Sequence, residues 1–233
     1  MFIVFDRVRP SDSPFIERVW TCHSERAGIF SSVASPHLEL VFTRLEGVTT
    51  VTLRGPETTA RQVPCPAHGE WFAIRFKAGT CVRPHRAPAL LDGKDLNLPQ
   101  AGPRSFWLQG ASWEIPSFDN AEALVARLAK AGAITRDPWI SAALEGDPRE
   151  LSDRSIQRRF MSVCGMSLST MQQIERARCA TELLTRGVSI SDAQFEAGFY
   201  DQPHLTRALK RYTGLTPASV RRGEQQLSFL YKK

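Results

Sequence analysis

An α+β chain is predicted: a β-rich part over residues 1–115, a helical link over 116–137 and an all-α part over 138–226. Three observations carry this. Up to about residue 110 the chain runs in short β-branched and aromatic stretches broken by Gly and Pro. From residue 118 onward, apolar residues recur at i, i+4, i+7 spacing between residues that cap helices. The charge is uneven: of a net +6, residues 147–233 carry 14 Lys+Arg against 9 Asp+Glu, and the rest 16 against 15. The excess sits in the last third, which points to a polyanionic partner for that part alone.

With 233 residues and 42% hydrophobic content, one large or two small domains with a sizeable core fit. No apolar run approaches the length of a membrane span. The opening MFIVFDRVRP has an apolar run too short for a secretory signal, and Asp6 interrupts it. A cytoplasmic location without membrane contact is therefore expected. Cys22, Cys65, Cys81, Cys164 and Cys179 form no C-x-x-C pair, which argues against a disulfide scaffold or zinc ribbon and for reduced, mostly buried thiols.

In the N-terminal part, FIVF, FIERVWTCHS, HLELVFTRL, VTTVTLRG and GEWFAIRFKAG are the candidate strands. Leu38, Leu40, Phe42 and Leu45 form a mostly apolar set. Trp71, Ala73 and Arg75 oppose Phe72, Ile74 and Phe76, so one face of that strand is expected to be buried. Strands at this spacing suggest a barrel or a sandwich.

Candidate chemistry here is thin. His37 and Glu39 share a strand face, but two ligands do not make a metal site. Cys65 and His68 lie three apart, with no oxyanion partner or orienting residue that the sequence can locate. Trp20, Trp71 and Trp107 could line a pocket; core packing is the plainer expectation. No catalytic residue, metal or cofactor is singled out.

The helices follow in order. In FDNAEALVARLAK, Asp119 or Asn120 caps and Leu124 and Leu128 share a face. ITRDP reads as a connection, and PWISAALEG as a short helix from Pro138. In LSDRSIQRRFMSVCGMS, Ser152 caps, Ile156, Phe160 and Val163 form the stripe and Gly165 terminates. Arg154, Gln157, Arg158 and Arg159 crowd its other faces. Residues 169–186 form a long helix capped by Ser169, with Met171, Ile174, Ala177, Ala180 and Leu184 buried. SISDAQFEAG is another short helix. In GFYDQPHLTRALKRYTGLTP, Asp201 caps, Leu205, Leu209 and Tyr212 form the stripe and Gly214 terminates. Gln202, Thr206, Arg207 and Lys210 lie off that stripe. Such an exposed face suits the DNA major groove; a solvated amphipathic helix is the bland alternative.

Residues 151–222 closely resemble the DNA-binding part of the AraC/XylS family of bacterial transcription regulators. The resemblance implies two helix-turn-helix units joined by the long helix, with double-stranded DNA as partner. By position it implies DNA contacts at Arg154, Gln157 and Arg158 in the first recognition helix. In the second it implies Gln202, Pro203, Thr206 and Arg207, with Lys210 and Arg211 on the backbone. Arg can grip guanine and Gln adenine through paired hydrogen bonds. Arg159 is assigned to phosphate or an intradomain contact, His204 to packing or phosphate, and Arg221 and Arg222 to phosphate. Two departures stand out: Gln194 occupies a position where the family has a small Ala, and WISAALEG is not Ala-rich.

The β-rich part resembles, more weakly, the sensor domain preceding the DNA-binding part in some AraC-type regulators. That implies a cupin-like or related β fold and a small-molecule effector, whose identity and binding residues the sequence does not reveal. RNA polymerase and a second copy of the chain are further partners such a regulator could take. Two other functions stand beside this one. One is a β-domain enzyme, or a thiol-based repair or redox sensor, with a DNA-binding tail. The other is a sequence-tolerant architectural DNA binder, which base-reading Gln and Arg side chains argue against.

Overall fold

The computed structural model describes residues 2–146 and 152–223. The tail SFLYKK, the end of the closing segment PASVRRGEQQ and Leu151 lie outside the described residues.

The N-terminal part is built on a six-stranded antiparallel sheet. Its strands are β1 (Ile3–Pro10), β2 (Ile16–Ser24), β4 (Glu39–Leu45), β5 (Val48–Arg54), β7 (Glu70–Phe76) and β9 (Leu96–Leu98), in the order β1-β2-β7-β4-β5-β9. All five expected strands are present. Three short arrays were not anticipated. They are the ribbon of β3 (Gly28–Ser32) and β6 (Arg61–Cys65), the pair of β8 (Thr80–Val82) and β13 (Ile134–Arg136), and the sheet of β10 (Gln100–Gly102), β11 (Ser105–Leu108) and β12 (Ala111–Glu114).

Side chains alternate across a strand, so the main sheet has two faces. Leu40, Phe42, Leu53, Ile74 and Phe76 point to one, where they form the largest core with Phe106, Leu108 and the helix α1 (Ala121–Lys130). Trp20, Cys22, Val41 and Ala73 belong to a smaller cluster on the other. The expectation of one buried face on β7 is therefore corrected: positions 73–76 are all buried, Arg75 included. Arg75 is tolerated inside because its Nε donates to Glu39 at 2.6 Å, and a buried charge needs such a partner.

The helix α1 buries Ala121, Leu124, Val125 and Leu128, as its spacing predicts. Its entrance differs from expectation: neither Asp119 nor Asn120 caps it through its side chain, and Asn120 instead accepts from the Ser117 N–H at 2.8 Å. Arg9 and Ser11 bond Glu122, tying this helix to the edge strand β1. The stretch ITR, expected as a connection, is the strand β13, paired antiparallel with β8.

The remaining helices are α2 (Pro138–Leu144), α3 (Asp153–Cys164), α4 (Leu168–Thr185), α5 (Ile190–Glu196), α6 (Gln202–Thr213) and α7 (Pro217–Arg222). Their core also takes in Val33 and Ala34 from the β-rich part. No helix among the described residues is long and apolar enough to cross a membrane.

Candidate nucleic-acid interface

Two short-helix, turn, basic-helix units face outward from a shared rod. In the first, Asp137 accepts from the N–H groups of Trp139 and Ile140 and so starts α2. The same carboxylate receives Arg159 of α3, with Nε···O distances of 2.8 and 2.9 Å. Burial raises the Asp137 pKa, but the Arg159 bond and the two N–H groups outweigh it and hold the carboxyl below its ordinary value. Arg159 is thus an intradomain brace, which decides between the two roles expected for it.

The next two arginines have a different setting. Arg154, Gln157 and Arg158 are exposed, one turn apart on a single face of α3. Neither arginine makes an ion pair with any described residue. Ser152 caps α3, Phe160 is fully buried on its inner face and Gly165 ends it in the left-handed region at φ 76°.

The rod is α4, 18 residues long. Its cap is Ser167, whose hydroxyl accepts from the Thr170 N–H at 3.1 Å, and not the expected Ser169. Its buried stripe is the expected one, with Thr181 added. It packs against α5, α6 and α7, and Tyr212 of α6 donates to Gln173 of α4 at 2.7 Å.

In the second unit, Gln194 on α5 reaches across the turn and donates to the carbonyls of Phe199 and Tyr200 at 3.3 and 3.2 Å. The departure from a small residue is therefore used: the amide braces the turn from outside the core. Asp201 starts α6 by accepting from the His204 N–H at 2.6 Å. His204 itself packs edge-on against Phe199. Leu205, Ala208, Leu209 and Tyr212 are buried. On the opposite side Gln202, Pro203, Arg207, Lys210 and Arg211 are exposed and Thr206 is half-buried. Arg207 and Lys210 pair with no described acid, and Arg211 lies over the Tyr212 ring.

The residues assigned to the two recognition helices thus form two outward faces with unspent donors. Tyr200, directly before the Asp201 cap, was not singled out from the sequence; it is 91% exposed beside this surface. An aromatic residue preceding an N-cap was the available signal. Arg221 and Arg222 are also exposed, at the end of α7.

The other candidates resolve differently. His37 Nε2 lies 3.0 Å from Glu17 and its Nδ1 3.0 Å from the Phe76 carbonyl, while Glu39 holds Arg75. The histidine and the carboxylate thus have separate partners. Burial raises the thiol pKa values of Cys22, to about 12, and of Cys65. Trp107 is 44% exposed, whereas Trp20 and Trp71 line a cavity of about 240 Å³. Both also belong to the smaller apolar cluster of the sheet, so the expected core packing holds for them alongside the cavity wall.

The β-rich part meets the second unit at its C-terminal end. The N–H groups of Ala34 and Ala60 donate to the carbonyls of Tyr212 and Arg211 at 2.8 and 2.9 Å, satisfying acceptors that the last turn of α6 leaves open.

Residues 150–223 match a family model described as a helix-turn-helix domain. The HTH-type transcriptional regulator RipA of Corynebacterium glutamicum is 33% identical over 98 residues, covering 41% of this chain and 30% of that protein. RipA of Corynebacterium diphtheriae is 36% identical over 69 residues, covering 30% and 21%. The regulatory protein ada of Salmonella typhimurium is 30% identical over 117 residues, covering 48% and 33%. The matches span about a third or less of the length of these relatives. A solved structure of apo ToxT, a variant from Vibrio cholerae strain SCE256, covers 92% of this chain and 99% of its own at 11% identity, with a TM-score of 0.44.

Proposed function

We propose, from the premise that residues 150–223 are an AraC-type helix-turn-helix domain, that this chain is a sequence-specific, DNA-binding transcriptional regulator. The observation that carries the reading is the presence of two basic faces, Arg154, Gln157 and Arg158 on α3 and Gln202, Pro203, Thr206 and Arg207 on α6, on the helices that come before and after one rod in the chain. In this reading each face enters a major-groove segment, with Lys210 and Arg211 on phosphate. A rod of 18 residues is about 27 Å long, shorter than the roughly 34 Å between successive major-groove segments, so the bound DNA bends.

The β-rich part, over residues 1–115, serves as the regulatory domain. Its grip on the last turn of α6 supports this, because a change at Ala34 or Ala60 is felt directly by the second recognition helix. An effector then acts by shifting the population of DNA-competent arrangements. The raised pKa values of Cys22 and Cys65 weigh against a reactive-thiol sensor.

Selection of bound fragments from random duplex DNA by the purified chain tests the proposal. Enrichment of one motif with two half-sites about one helical turn apart is expected. Recovery of unenriched DNA would replace this reading with the architectural one.

A further inference from the structure

The cavity of about 240 Å³ lies on the second face of the six-stranded sheet, under the β3–β6 ribbon. Strand parity explains its lining. Trp20 on β2, Thr43 on β4, Arg54 on β5 and Trp71 on β7 point to this face, while their neighbours fill the main core. Ile3, Phe5, Phe30 and Val63 add apolar walls. The last side is closed by the helical part, through Ile174 and Arg178 of α4 and Tyr212 of α6. An apolar cavity of about 150 Å³ accepts benzene, so this one has room for a ring and a short arm.

The charged groups at its inner end are unequally satisfied. Glu39 is buried and held by Arg75 at 2.6 Å. Glu57 accepts from Ser32 at 2.6 Å and from Arg61. Glu175 at the margin lies 3.9 Å from Arg178. The two buried carboxylates, Glu39 and Glu57, therefore have hydrogen-bonded cationic or hydroxyl partners. Arg54 does not fare as well. It approaches Glu39 and Asp95 only to 3.7 Å each, and its buried Nε has no hydrogen-bond acceptor among the described residues. A guanidinium brings five N–H donors, and leaving a buried one unmet is costly. A carboxylate is the group that answers it, through two parallel hydrogen bonds.

We infer that this cavity binds a small organic anion, with a ring-sized apolar body against Trp20, Phe30 and Trp71 and a carboxylate-type group on Arg54. An organic cation finds no unclaimed buried carboxylate there, since Glu39 and Glu57 are both hydrogen-bonded. The inference deepens the regulatory reading of the β-rich part and rests on it only for its consequence.

The test uses the full chain without DNA. Calorimetric titration with 3-phenylpropanoate is compared with its neutral isostere 3-phenylpropanamide and with octanoate. The aromatic anion is expected to bind at least tenfold more tightly than the amide and to raise the melting temperature. Arg54→Gln is expected to erase that preference while the amide still binds, which also shows that the variant is folded. If Arg54→Gln does not fold, Val63→Trp, which fills the wall, takes its place and is expected to lower affinity for anion and amide alike. Weaker binding of octanoate supports the ring; octanoate bound as tightly overturns that part. Equal affinity of anion and amide, no binding of the anion at millimolar concentration, an unchanged preference in Arg54→Gln or full anion affinity in Val63→Trp would each overturn the site. Because no readout involves DNA, failure here and failure of the regulator reading are separate results.

Discussion

Arg158 and Arg159 are neighbours in sequence with opposite surroundings. Arg159 is spent on Asp137, the cap of α2, and also lies over the Trp139 ring, so it fixes α3 against its support helix. Arg158, about 100° round the helix, faces outward with no described acid beside it. The stripe of Ile156 and Phe160 told these faces apart in the sequence; the partner of Arg159 did not show there, because Asp137 lies 22 residues upstream. A second ion pair carries a pH prediction. The Arg9 hydrogen bond lowers the Glu122 pKa to about 2, against a smaller burial effect, from an ordinary 4.5. A carboxylate with a depressed folded-state pKa contributes stability that is present above the unfolded value and is lost as pH falls through the folded one. The loss from this contact should therefore run from about pH 4.5 down to about 2. Denaturation midpoints across that range should fall less steeply in Glu122→Gln than in the parent chain. Because both partners are partly exposed, the difference should be modest.

At the scale of elements, the apolar stripes were legible throughout, while the caps were legible for α3 and α6 but not for α1 and α4. The inner faces of α3, α4 and α6 follow from spacing alone, and Asp201, Ser152 and Thr216 each accept from the N–H three residues on. In the run Ser167-Leu168-Ser169-Thr170 the expected cap of α4 is Ser169, and the fold gives the role to Ser167, two residues earlier. Ser167→Ala should therefore cost about 1 kcal/mol of stability, and Ser169→Ala less than about 0.5, in chemical denaturation. The unanticipated strands have a common physical cause. β8 and β13 are three residues each, too short to show alternation, and their pairing joins positions some fifty residues apart. The ribbon strand β6 carries Pro64, which the periodic signal penalises but an edge strand tolerates. Gly55 passes too close to the Leu90 carbonyl for any side chain to fit, an approach between distant positions that local spacing does not show.

At the scale of the whole molecule, the charge asymmetry is a property of surface and not only of count. The described basic residues of α3 and α6 are exposed, apart from Arg159, which is paired with Asp137. Binding should accordingly be salt-dependent. Lys210→Ala should weaken affinity about equally for selected and bulk DNA and reduce the slope of log affinity against log salt by about 1, measured by fluorescence anisotropy. The candidate DNA surface was readable because each half is one helix with its own cap and stop. The cavity was not, since its wall is assembled from seven strands and two distant helices, and only the odd-parity polar residues of β4 and β7 hinted at it. The most direct test of the two-reader account compares the parent chain with the double variant Arg154→Ala and Arg207→Ala on the selected site at one salt concentration. Each arginine should be worth roughly 1–3 kcal/mol at that site, so the double variant should fall toward its affinity for bulk DNA. Site affinity unchanged in a folded double variant would contradict the account.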